Sequence, residues 1–479
     1  MEPTPAEPVP PARGAGPWRT RILILIAVAV VLAAAASVWA FDRNRGPAPP
    51  GPSASGLRQA WTAGAANVDA GPAGVWVTGR DAVVNVGNGA VAYNLGTGRI
   101  DWRWQPPAGR SFDNMSPTAD LGVAVVAFGT GASPSANPVG TATASPSAES
   151  GVGSGIAASA TETAAALNLA TGRLVWSTPL AHPIGWPGPV LGDGEAAVLE
   201  QSASGGFGAL DVLNLSTGTL AWSTASDAAI PAACVFTAAA ITGGLVYGAA
   251  QCPPPAGSAA SDPDAEVIYG FAPGTGAVQT QTAATGFLCA DPDRSTYATL
   301  WADGGYVLVS CSGSTTTSEP LWIEAAGSGR LVPAAFTSQT DPLSYEFQNI
   351  EDPAFTVVGR VLYLQTSVPA AAGARPAVAA LDLDTGKQLW QQLIPGGAGY
   401  LVGAGSTGAT VALESGGTLS LAHFARSGGK IAYGPGTPFA ATAGTRGTYR
   451  VLAAGSALLA ILPGEQGRNV TEFRRTAAG

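Results

Sequence analysis

Two short stretches of this sequence gather side chains that could do chemistry. SYEFQNIEDP (344–353) carries Glu346, Asn349, Glu351 and Asp352 close together. Carboxylate and amide oxygens at that density suit calcium or a polar ligand. HPIGWPG (182–188) sets His182 near Trp186, and Asp113-Asn114 forms a third acid–amide site. These eight residues are the candidate ligand-binding set, and the competing reading for each is a solvated loop. The carboxylates of DPDAE (262–266) lie in a loop too loose to hold a cation well. His182 and His423 are the only histidines, and neither has the spacing of a metal ligand. No Ser-His-Asp, phosphate-loop or dinucleotide pattern stands out. No catalytic residue and no metal site are therefore expected.

The elements that must position these residues come from a repeat. LDLDTGKQLW (381–390) recurs as YNLGTGRIDW (93–102), LNLATGRLVW (167–176), LNLSTGTLAW (213–222), FAPGTGAVQT (271–280), EAAGSGRLVP (324–333) and FARSGGKIAY (424–433). The sixth place is always glycine: Gly98, Gly172, Gly218, Gly276, Gly329, Gly386 and Gly429. Alternating apolar residues make a strand, and Thr-Gly closes a tight turn in which glycine takes a positive φ. A second strand then ends in Trp102, Trp176, Trp222 or Trp390. A large aromatic fixed in successive units reads as a wedge between them. Another hairpin precedes most copies, as in SPTADLGVAVVAF (116–128), GPVLGDGEAAVLE (188–200) and DPAFTVVGRVLYLQ (352–365). Each unit is thus four antiparallel strands that cannot bury both faces alone, and radial stacking of such units gives a β-propeller. LRQAW (57–61) ends in Trp61 like the tail of a repeat, and 448–475 supplies strands without a fourth. The expectation is an all-β, eight-bladed propeller over 57–479, closed by the first strand. The candidate ligand residues would lie in loops at its tunnel mouth.

Only 11% of the chain is charged, and its net charge of −9 argues against a nucleic-acid partner. Residues 22–41 are uncharged and long enough to cross a bilayer. They are expected to anchor the protein by one transmembrane helix. The alternative is a signal peptide cleaved near Ala36 or Ala40. Residues 1–21 would form a short cytoplasmic tail, 42–56 a linker, and the Ser/Ala/Gly/Thr-rich 130–163 a disordered insertion. The propeller is then extracytoplasmic. Cys234 and Cys252 flank one hairpin pattern, and Cys289 and Cys311 another. Of the three possible pairings, the two sequential ones are expected.

The motif LDLDTGKQLW resembles the PQQ-like β-propeller repeat, and the resemblance covers nearly all of 57–479. It implies that each tryptophan docks on the neighbouring blade. The family includes quinoprotein dehydrogenases, which bind pyrroloquinoline quinone and calcium. It also includes non-enzymatic propellers such as outer-membrane assembly lipoproteins and the sensor domains of membrane kinases. Those dehydrogenases typically hold the quinone under a disulfide of adjacent cysteines, and no two cysteines here are adjacent. No Cys-x-x-Cys-His haem motif occurs either. The expectation is a membrane-anchored binding or scaffold module without a cofactor, whose partners are other membrane or envelope proteins. A quinone-dependent oxidoreductase and a ligand sensor are the alternatives.

Overall fold

A computed structural model describes residues 56–66, 75–85, 89–130, 162–184, 188–201, 207–226, 230–253, 265–283, 297–312, 321–336, 355–368, 375–394, 398–415, 417–428, 431–438, 450–454, 457–464 and 467–476. The chain divides into two units, 1–52 and 53–479. The first, with the expected anchor at 22–41, lies outside the described residues, as does most of the 130–163 insertion.

The second unit is an all-β propeller built from antiparallel meanders. In all but the closing sheet, strands pair in chain order, so that the first two form a hairpin. Apolar runs such as Val123–Gly129 are buried on both faces, because each sheet is covered on both sides by its neighbours. The last strand of a meander is the exposed one, as in Leu174–Pro179. Each hydrophobic cluster draws on sheets consecutive along the chain. One joins 76–128 with 165–169, and another joins 82–93 with 457–470, linking the start of the unit to its end.

Closure is made by Leu57–Ala66, which pairs antiparallel with Gly467–Arg475 along its whole length. This strand contributes the fourth member of a sheet whose other three come from the C-terminus. The free edge that the C-terminal strand would leave is thereby covered.

The expectation of eight separate blades is corrected, while the transmembrane helix expected ahead of them lies outside the described residues. Six sheets are single blades: 75–104, 111–179, 297–333, 355–393, 398–438 (with a short fifth strand) and the closing sheet. Residues 190–283 instead form one continuous eight-stranded sheet, because Gly208 pairs with Phe236 across the would-be boundary. Glycine has no side chain to hold off a neighbouring strand, which permits that approach. No helix among the described residues is long and apolar enough to cross a membrane. The sole helical element there is a 3-10 turn at Thr224–Ser226.

Candidate functional site

The propeller has two functional-looking faces, and the repeat builds one of them. On the face carrying the hairpin turns, each tryptophan of an outer strand reaches the next unit. Trp61 Nε1 donates to Leu95 O at 3.0 Å, Trp102 to Leu169 O at 3.2 Å, Trp176 to Leu215 O at 2.7 Å and Trp390 to Arg426 O at 2.8 Å. Trp222 makes the same bond to Pro273 O. The indole lies on the repeat glycine. A Cβ on Gly172 would stand 2.4 Å from Trp102, and one on Gly218 the same distance from Trp176. These glycines also have φ near +70°, so both the turn and the neighbour's ring exclude a side chain. Before Gly329 the ring is replaced by Thr280, and before Gly386 by Pro333. In the last copy the ring of Trp390 rests on Gly428, with φ +74°, while the expected Gly429 lies outside the described residues. The turn is held from within by an Asx bond. Asn94, Asn168 and Asn214 Oδ1 accept the backbone N–H groups two and three residues on, and Asp382 accepts that of Thr385.

The opposite face carries the connections between units, and its polar groups act as clamps. Glu162 accepts the N–H of Ile184, and Glu266 accepts that of Ala298 at 2.6 Å. Gln365 binds the next inner strand twice, accepting from Leu401 N and donating to Gly399 O. Burial pushes the Glu266 carboxyl up to about 7. Glu200 accepts backbone N–H bonds from His182 and Ala181 and is hydrogen-bonded to Asp211. Burial, then the Asp211 charge, raises Glu200 to about 7. Burial also raises Asp211, against the bond from Ser223. Two carboxyls in contact cannot both ionise cheaply, so the pair holds one proton between them. Such a pair can take up or release a proton near neutral pH. Among the described residues no group of three or more potential ligands could hold a metal ion.

His182, picked from sequence, is exposed and adjoins this carboxyl pair. Asn114 lies on the strand Ser111–Met115, and its Oδ1 accepts from Met115 N at 2.8 Å. The same oxygen would meet a Cβ on Gly188 at 2.6 Å, so Asn114 lies against the end of the 182–188 segment. Asp113 occupies the irregularity in that strand's pairing, between Phe112 and Asn114. Trp186, Glu346, Asn349, Glu351 and Asp352 lie outside the described residues. Sequence reasoning passed over Glu200, Asp211 and Glu162, and it dismissed Glu266 with the loop carboxylates of 262–266, whereas Glu266 lies in the strand Ala265–Phe271. Their signal was an acid inside or bordering an apolar strand, as in EAAVLEQ (195–201) and FGALDVLN (207–214). Cys234 and Cys252 form a disulfide. Cys311 is disulfide-bonded as well, and Cys289 lies outside the described residues.

Antiparallel four-stranded meanders, ring closure by the first strand and a recurring indole seated on the neighbour's turn glycine define the class: a PQQ-like β-propeller. The family model described as outer membrane protein assembly factor BamB matches residues 122–308 and 160–398, and the chain belongs to that family. The sequence matches none of the curated proteins. Among solved structures it is similar to quinohemoprotein alcohol dehydrogenase from Comamonas testosteroni, with 11% identity and a TM-score of 0.49, covering 87% of this chain and 76% of that one. A europium-containing methanol dehydrogenase aligns with 10% identity and a TM-score of 0.43, covering 87% and 93%. A eukaryotic initiation factor aligns with 13% identity and a TM-score of 0.44, covering 89% and 88%. Likeness at this level carries no chemistry from one protein to another.

Proposed function

We propose that this propeller is a non-enzymatic binding and scaffold module that works outside the cytoplasm on other envelope proteins. One observation carries the reading. The buried carboxylates on the connection face are turned inward, onto backbone N–H groups of the next unit. They hold the ring together and so are committed before any substrate arrives. The family's description as an assembly factor supports a scaffold role. Family membership alone is equally compatible with a quinone-dependent oxidoreductase, so the choice rests on the carboxylates. The Cys234–Cys252 disulfide supports an oxidising compartment.

The test has two arms. Cross-linking in native membranes should capture envelope proteins with the chain. Purified full chain, titrated with pyrroloquinoline quinone and calcium, should neither bind the quinone nor reduce an artificial dye with alcohols or aldoses. Saturable micromolar quinone binding, with dye reduction lost on Glu346→Gln and Asp352→Asn, overturns the scaffold reading in favour of the oxidoreductase.

A further inference from the structure

The hairpin-turn face distributes its charges unevenly. Acids hold its inner ring, where each is bound to the next unit's backbone. Asp120 accepts from Gly194 N at 2.9 Å, Asp193 from Gly244 N at 2.9 Å and Asp303 from Val357 N at 2.7 Å. The outer ring is made by the repeat turns, and there a base follows the glycine directly: Arg99, Arg173, Arg330 and Lys387. All four are exposed. Acids nearby on the same face are paired to other bases. Asp101 binds Arg80 at 2.6 Å, Asp384 binds Arg360 at 2.8 Å and Glu472 binds Arg474 at 3.0 Å.

Beside these bases stand the exposed large apolar residues. Ile100 follows Arg99, Leu174 and Val175 follow Arg173, and Leu389 stands two residues after Lys387. Leu220, 55% exposed, holds the matching place after Gly218. On the same face Leu121 is 71% exposed at φ +49°, a conformation a branched apolar side chain adopts only at a cost. Isolated exposed leucines need no explanation, but here an exposed apolar residue follows the base within two places at Arg99, Arg173 and Lys387.

We infer that the outer ring of the hairpin-turn face docks on an anionic lipid surface. The bases meet headgroup phosphates, and the adjoining apolar side chains enter the acyl boundary, as in interfacial helices that combine both attractions. Charge complementarity requires an anionic partner. The spread of the couplets favours a bilayer over an acidic peptide. The four bases lie in the sheets 75–104, 111–179, 297–333 and 355–393, two on each side of the eight-stranded sheet, and all but Arg330, which is followed by the half-buried Leu331, adjoin an exposed apolar residue. A single extended chain would have to cross that face to meet them all, whereas a wide planar surface meets them together. This inference is independent of the scaffold reading.

Hydrogen exchange on the full chain tests it locally, whatever else in the chain binds lipid. The probes are vesicles of phosphatidylcholine alone and of equal parts phosphatidylcholine and phosphatidylglycerol. The expected result is slowed exchange in turns 95–100, 169–175, 326–331 and 383–389 on the anionic vesicles only, reversed by high salt. Each base near such a surface is worth about fivefold in affinity. Arg99→Gln with Arg173→Gln, Arg330→Gln and Lys387→Gln should therefore abolish the protection. Arg99→Lys with Arg173→Lys and Arg330→Lys should keep it, which separates charge from folding. No lipid-dependent protection, or equal protection on neutral vesicles, overturns the inference. Equal protection by polyglutamate without vesicles also overturns it and assigns the face to an acidic protein.

Discussion

Substituting Gly218 by alanine tests whether the seat of the indole, rather than the turn alone, binds one unit to the next. Two costs are separable. The residue sits at φ +71°, where a Cβ costs about 1–2 kcal/mol. The new methyl would also lie 2.4 Å from Trp176 Cδ2, so the ring must leave. With it goes the 2.7 Å bond from Trp176 Nε1 to Leu215 O and the ring's packing against the cluster of Val198, Leu213 and Leu215. Full loss of a buried tryptophan costs about 3–5 kcal/mol. Trp176 is half-buried, so about 2 kcal/mol is the share assigned to the seat. Gly218→Ala should thus destabilise by about 3–4 kcal/mol in all. Gly359→Ala is the control. Its φ is +62° and nothing lies within 4 Å of an added Cβ, so it should cost the backbone strain alone.

The decisive measurement is a double-mutant cycle by denaturant unfolding. In a Trp176→Ala background the ring is already gone, and Gly218→Ala should cost little more than Gly359→Ala, since the one close contact left is Thr178 Oγ1 at 2.9 Å, the end of a rotatable side chain. A coupling of about 2 kcal/mol between positions 176 and 218 is expected. Additive costs, or equal costs of Gly218→Ala and Gly359→Ala in the native background, would refute the seat.

Two further perturbations probe the other face and the closure. Burial lifts Glu266 from 4.5 to about 7 in the fold, so the folded state holds a proton there that the unfolded chain releases. Its contribution is fully present below about pH 4.5 and is lost as pH rises through 7, on the order of 3 kcal/mol in all. Relative to Glu266→Gln, which still accepts from Ala298 N, native protein should melt roughly 3 °C lower at about pH 8 than at about pH 5. A pH-independent difference would show that Glu266 titrates normally. Deleting residues 57–62 removes Trp61 and most of the strand paired with Gly467–Arg475, and should lower the melting temperature by roughly 4 °C or more, while deleting 42–54 should leave it unchanged. Equal effects of the two deletions would mean that the strand does not close the ring.

The fold was legible in the sequence because its signal is periodic and its parts are local. Thr-Gly between alternating apolar residues marks a hairpin wherever it occurs, and Trp61 without an upstream partner strand pointed to closure. That a tryptophan such as Trp176 wedges against the neighbouring unit was legible as well, but that it rests on Gly218 was not. The two residues meet only because consecutive units stack, and the glycine is needed as much for its neighbour's ring as for its own turn. The Asx bonds of Asn94 and Asn168 were passed over, although there the side chain acts only on its own turn. The fusion of 190–283 into one sheet was not legible, because it hangs on the single pairing of Gly208 with Phe236 between two units that each carry a normal repeat.

The polar groups of the connection face were hidden for a different reason. Sequence reasoning looks for acids in clusters, and so it chose the loop at 346–352. The acids that clamp the ring lie inside or at the border of apolar strands. Glu266 sits alone in the apolar strand Ala265–Phe271, and its partner is the backbone of Ala298 in the next unit. Glu200 and Asp211 become a pair only when strands Glu195–Gln201 and Phe207–Asn214 lie side by side. A charge inside an apolar strand is costly unless something pairs with it. In a propeller the nearest unpaired group is the exposed N–H of the next inner strand. Five tryptophans thus seal one edge of the ring with an indole, Glu162 and Glu266 clamp the connection face with a carboxyl, and both contacts run from one unit to the next. A ring locked in this way commits the interior of its sheets to cohesion and leaves recognition to the residues that the repeat tolerates at its turns.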